Sequence, residues 1–128
     1  MTVRIEHAAI YYSDLDAARQ FYEKYFCAHS GKMYRNQKTG FCSYFLAFDD
    51  GARLEIMSKE SIFNKQIADS LGLAHIAFSL GSAEMVESLT ERLKNDGFTV
   101  ISGPRTTGDG YYESCVEDPE GNRIELTV

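Results

Sequence analysis

Apolar positions along this chain keep two rhythms, and the rhythms recur in the same order in each half. Leu15, Ala18, Phe21, Tyr22 and Tyr25 keep the i, i+3, i+4, i+7 spacing of one helix face, behind Ser13 or Asp14 as N-cap. Val86, Leu89 and Leu93 do the same behind Ser82, and Gly97 stands where a residue just past a helix end takes positive φ. Strand-length segments surround them: one around His7, then 32–36, 42–48 and 52–57, and later one around His75, then 98–102, 111–117 and 122–128. Gly51 and Asp118-Pro119-Glu120-Gly121 supply the turns that close a hairpin before the last strand of each half.

The halves are copies of one unit. Gly51-Ala52-Arg53-Leu54-Glu55-Ile56 returns seventy residues later as Gly121-Asn122-Arg123-Ile124-Glu125-Leu126. Glu6-His7-Ala8-Ala9-Ile10 matches Ala74-His75-Ile76-Ala77-Phe78 at an offset of sixty-eight, which is also the offset between the two helix stripes. A repeat of one supersecondary unit governs how each residue is read. The pattern predicts an α+β protein of two tandem βαβββ modules, 1–62 and 63–128. The polar connector near 58–72, which contains Ile62, Phe63 and Ile67, is expected to hold a short helical turn.

Strand alternation then assigns faces, because successive side chains point to opposite sides of a sheet. If Leu54 and Ile56, like Ile124 and Leu126, face a helix layer, Glu55 and Glu125 point the other way, with Arg53, Met57, Arg123 and Thr127. Ile76, Phe78 and Leu80 leave His75, Ala77 and Ser79 on the opposite side, and His7 shares its side with Ile5, Ala9 and Tyr11. Two histidines and two glutamates thus occupy repeat-equivalent positions on the face away from the helices. One such residue alone is more often a satisfied core histidine or a solvent-facing charge. A Glu set between Leu and Ile twice, each time with a matching His, asks for a common reason. Two imidazoles and two carboxylates neutralise a divalent cation, and the nitrogen and oxygen donors suit zinc, nickel, manganese, cobalt or iron better than calcium. His29, in Ala28-His29-Ser30-Gly31, has no repeat partner and is read as a surface residue.

Composition narrows the function. At 128 residues, with 44% hydrophobic and 25% charged positions, the chain is long enough for one ordinary core. A net charge of −6 and a pI near 5.0 without a basic patch argue against nucleic acid as a partner. No apolar run reaches membrane-spanning length and Met1 to His7 do not resemble a signal peptide, so a cytoplasmic protein is expected. Cys27, Cys42 and Cys115 are odd in number and lack Cys-x-x-Cys spacing, which fits reduced packing residues rather than disulfides.

The chain resembles the vicinal oxygen chelate superfamily of glyoxalases, bleomycin resistance proteins and dioxygenases, and within it most of all bacterial glyoxalase I. The resemblance is carried by His7, Ser13-Asp14-Leu15, Phe21-Tyr22, Leu54-Glu55-Ile56, Ala74-His75-Ile76-Ala77-Phe78, Gly103-Pro104 and the run from Val116 to Leu126. It implies curved mixed sheets around a metal cavity, with one divalent ion on His7, Glu55, His75 and Glu125. A small substrate would chelate that ion through two adjacent oxygens. Glu125 would then act as general base in forming an enediolate, and Glu55 would remain a ligand. It further implies a homodimer whose cavity takes His7 and Glu55 from one subunit and His75 and Glu125 from the other. Where bacterial glyoxalase I usually has an Arg and an Asn that contact glutathione, four residues after the first and second ligands, this chain has Tyr11 and Lys59. Those two and Arg123 are the candidate substrate contacts, and the cosubstrate is left open between glutathione and another thiol.

Other activities in the same superfamily use subsets of these residues. Thiol transfer of the fosfomycin-resistance kind and extradiol dioxygenation need only His7, His75 and Glu125, and Glu55 would occupy a position that their substrates require. A coenzyme A thioester epimerase would carry Gln where this chain has Glu55. A metal-free drug-sequestering protein of the bleomycin-binding kind would instead line a groove with Tyr11, Tyr44, Phe45, Tyr111 and Tyr112.

Overall fold

Both helices begin where the sequence offers a side-chain acceptor. Asp14 Oδ1 accepts the Ala17 N–H at 3.0 Å at the start of α1 (Leu15–Phe26), so the aspartate rather than Ser13 is the cap. Ser82 Oγ accepts the Met85 N–H at 3.2 Å and opens α2 (Ala83–Asn95). Each cap satisfies an amide that has no partner within its helix. Asp16 and Glu84 lie in the first turns, with Lys24, Arg92 and Lys94 in the last turns, the arrangement that the helix dipole favours. Gly97 follows α2 with φ +94, as its sequence position implies, whereas α1 ends on Cys27 in the same left-handed region at φ 53.

The computed structural model describes all residues 1–128, which divide into two compact units, Met1–Lys65 and Gln66–Val128. The first contains β1 (His7–Tyr11), α1, β2 (His29–Ser30), β3 (Tyr34–Arg35), β4 (Cys42–Ala47) and β5 (Arg53–Ser58). Its sheet runs β1-β5-β4-β2, with β3 also on β4. β1 lies parallel to β5, and the β4 pairings are antiparallel. The second contains β6 (Ile76–Ser79), α2, β7 (Val100–Thr106), β8 (Tyr112–Glu117) and β9 (Arg123–Thr127), in the order β6-β9-β8-β7 with β6 parallel to β9. The architecture is mixed α+β, two sheets of mixed strands with one helix packed on each, and no helix is long and apolar enough to cross a membrane.

In the first unit, Leu15, Ala18, Phe21, Tyr22, Tyr25 and Phe26 of α1 are buried, as are Tyr44, Leu46, Leu54 and Ile56 of the sheet. In the second, Val86, Leu89 and Leu93 are buried along with Val116, Ile124 and Leu126. The Thr90 and Ser114 hydroxyls satisfy one another at 2.6 Å within that apolar layer, as buried polar groups must. These layers fix the register that sends the alternate side chains of β5 and β9 to the opposite face.

Two expectations change. The connector after β5 has turns at 60–61 and 68–69, the first closed by the Ile62 N–H on the Lys59 carbonyl at 2.9 Å, and no helix. The strand expected at 32–36 shrinks to Tyr34–Arg35, because the Asn36 side chain and carbonyl collect the amides of Lys38, Thr39 and Gly40 into a turn. His29 is exposed, as its reading as a surface residue expects, and lies in β2 paired with Ala47 of β4.

Candidate functional site

In the first unit, β1 and β5 run parallel with His7 opposite Arg53, Ala9 opposite Glu55 and Tyr11 opposite Met57, so all six share the face away from α1. Phe45 of β4 lies opposite Glu55 and joins them. His7 Nε2 sits 3.8 Å from Glu55 Oε1, with the His7 side chain 39% exposed and that of Glu55 only 17%. His7 Nδ1 is hydrogen-bonded to Glu6 Oε2. Arg53 grips the other oxygen of Glu6, its Nε at 2.8 Å and its Nη2 closer, while the Arg53 N–H donates to the Glu6 carbonyl at 2.8 Å. Phe45 lies under both groups, edge-on to the imidazole with centroids 5.2 Å apart and 4.2 Å from the Arg53 guanidinium carbon. The His7 hydrogen bond, and after it the Arg53 hydrogen bond, hold the Glu6 carboxyl below its ordinary range.

The second unit repeats the pair with a different closure. Ala77 lies opposite Glu125 and Ser79 opposite Thr127; His75 directly precedes β6, and its Nε2 is 2.7 Å from Glu125 Oε1. This contact is closer than the 3.8 Å between His7 Nε2 and Glu55 Oε1. Arg123 is held by Asp69, Nη1 to Oδ1 at 2.7 Å and Nη2 to Oδ2 at 3.4 Å, which raises its pKa further. Its charge therefore already has a partner, although that partner is well exposed.

The sequence-expected ligands are thus brought together two by two, one His–Glu pair within each unit. No group of three or more His, Cys, Asp or Glu side chains is placed to hold a metal ion. Tyr11, 44% exposed, lies on the same face as His7 and Glu55, and Lys59 follows directly after β5. The expected aromatic groove divides. Tyr44, opposite Ile56, is buried on the helix side, and Tyr112 turns its hydroxyl to Glu87 of α2 at 2.6 Å, leaving Tyr11, Phe45 and Tyr111 of the set.

Glu6 and Glu113 were not singled out from the sequence, and Cys115 was read there only as a packing residue. Cys115 lies opposite Glu125 and Glu113 opposite Thr127, so both face the Glu125 side. Burial first, and the Glu125 charge second, push both the Glu113 carboxyl and the Cys115 thiol above their usual ranges. Strand alternation through 112–117 carried the signal for these two, whereas Glu6 precedes its strand and obeys no alternation.

The donor set fits a divalent ion by its chemistry: imidazole nitrogen beside carboxylate oxygen, twice, each pair on a face free of its helix and each glutamate mostly shielded. With the fold and these pairs in view, the family is clear. The model of the Glyoxalase/Bleomycin resistance protein/Dioxygenase superfamily matches residues 4–126, and the chain belongs to that superfamily. It is 28% identical to the uncharacterised protein YqjT of Bacillus subtilis, over 97% of this chain and 98% of that one. Among solved structures, a possible glyoxalase from Bacillus cereus matches with 29% identity and a TM-score of 0.73, covering 99% and 100% of the two chains. The trypanothione-dependent glyoxalase I of Leishmania major shares the fold at a TM-score of 0.79 with 20% identity, over 98% of this chain and 86% of that one.

Proposed function

We propose that the protein is a metal-dependent lyase or isomerase of the glyoxalase I type, with His7, Glu55, His75 and Glu125 as the ligands of one divalent ion. The observation that carries this reading is the repeat-equivalent His–Glu pair on the helix-free face of each unit. Either unit alone offers two such donors, so an ion with four protein ligands needs both kinds of unit at once. The reading includes a homodimer, in which one subunit supplies the first pair and its partner the second. Its support is the chain's membership of the superfamily together with the one His–Glu pair that each unit contributes.

A bound divalent ion supplies Lewis acidity toward a substrate with two adjacent oxygen functions. The chain's own residues do the rest. Glu125, mostly shielded and 2.7 Å from His75 Nε2, takes the proton from the carbon that bears the hydroxyl and delivers it to the adjacent carbonyl carbon, while the hydroxyl proton passes to the carbonyl oxygen, so the product is an isomer of the substrate. Tyr11, Lys59 and Arg123 are the proposed contacts for the remainder of the substrate, a small hydroxy-carbonyl compound or thiol adduct, Arg123 on leaving Asp69.

The test is a panel of hemithioacetals made from glutathione and from other thiols, assayed on metal-reconstituted protein. One of them is expected to turn over, and Glu125→Gln to lose roughly 10² to 10⁴ in rate while the fold is kept. Full activity in Glu125→Gln would remove the proposed base. The sequestering alternative predicts stability indifferent to chelators and ligand binding by metal-stripped protein.

A further inference from the structure

The two histidines are not held alike, and the difference lies one residue upstream. Glu6 touches His7 Nδ1, Arg53 fixes Glu6 through its side chain and its backbone N–H, and Phe45 supports both the imidazole and the guanidinium. At the repeat position of Glu6 the second unit has Ala74, and its arginine, Arg123, holds Asp69 instead. A carboxylate has no proton to give at neutral pH, so the ring nitrogen bonded to it must be the one that carries hydrogen.

We propose that Glu6 is a positioning residue that locks His7 in the tautomer with its proton on Nδ1, so that Nε2 offers a lone pair on the side of Glu55. A ligand histidine commonly owes its tautomer and ring angle to a hydrogen bond at its other nitrogen. Here the partner carboxylate is itself clamped by Arg53, so the ring is aimed before anything binds. The 3.8 Å from His7 Nε2 to Glu55 Oε1 agrees with a lone pair meeting a carboxylate across a gap. The first unit is therefore the preset half of the site. The role as a metal ligand rests on the function proposed above; the tautomer does not.

The tautomer is read in metal-free protein by long-range nitrogen–proton correlation of the imidazole. Wild-type His7 should show protonated Nδ1 and bare Nε2. Glu6→Ala should spread His7 over both tautomers, while Glu6→Gln, whose amide oxygen still accepts, should keep the wild-type pattern. Competition with a chromogenic chelator for zinc should show roughly tenfold weaker binding in Glu6→Ala and near-wild-type binding in Glu6→Gln. A wild-type His7 with its proton on Nε2, or identical tautomer patterns in wild type and Glu6→Ala, overturns the inference. The expected tautomers in a protein that binds no divalent ion would uphold it and remove the metal-dependent function.

Discussion

A carboxylate's meaning in this protein depends on which group it faces. Glu6 faces an imidazole and a guanidinium and is held in its charged form, Glu113 shares its face with Glu125 and is driven toward its neutral form, and Glu87 accepts from a phenol. The last contact gives a signed prediction. The Glu87 hydrogen bond, ahead of burial and of the carboxylate's charge, raises the Tyr112 pKa above its ordinary value of 10.0. A pKa higher in the folded than in the unfolded chain contributes stability that is complete below about pH 10 and is lost as pH rises through the folded value. Urea midpoints should therefore favour wild type over Tyr112→Phe at pH 8, with the difference shrinking above pH 10. A difference that stays constant with pH would assign the contact's value to packing instead. At this scale the sequence was readable for Glu55 and Glu125, whose apolar neighbours on either side force them to one face. It was silent on Glu6, because that residue precedes β1 and lies outside any periodic element.

Elements came through where a local rule decides them. The helix stripes, the Ser82 cap and the position of Gly97 follow from spacing and capping chemistry. The shrinking of 32–36 to two residues does not, since it depends on how Asn36 gathers amides, and the pairing of His29 with Ala47 depends on a strand distant in sequence. Tyr44 was assigned to a groove by its chemistry, but its register opposite Ile56 sends it to the core. Two turns offer quantitative tests. Cys27 ends α1 at φ 53, a conformation that strains any residue with a Cβ, so Cys27→Gly should stabilise the protein by about 0.5–1 kcal/mol in urea unfolding. Gly103 has φ +81 in the irregular stretch of β7, where a Cβ would lie 2.5 Å from the Glu113 carbonyl oxygen and 2.9 Å from the Ser114 Cα. Both neighbours are backbone, so Gly103→Ala should cost at least about 2 kcal/mol. A neutral outcome in the same assay would show that β7 moves aside.

For the whole molecule, duplication made the two His–Glu pairs legible in the sequence. Each unit builds a sheet with one face covered by its helix and sets a His–Glu pair on the other, so the two copies carry matching pairs of candidate donors. What duplication could not reveal is how differently the copies are finished, Glu6 and Arg53 around His7 and a closer ion-pair contact between His75 and Glu125. Substrate identity was equally out of reach, since Tyr11 and Lys59 stand where the resembling glyoxalases contact glutathione through other side chains. The most direct test of the four-ligand account is zinc binding measured by titration in wild type and in His7→Ala, Glu55→Ala, His75→Ala and Glu125→Ala. It predicts about one ion per chain, with each substitution weakening binding by at least roughly tenfold. Loss confined to the two substitutions of one unit, or no zinc bound by the wild type, would contradict it.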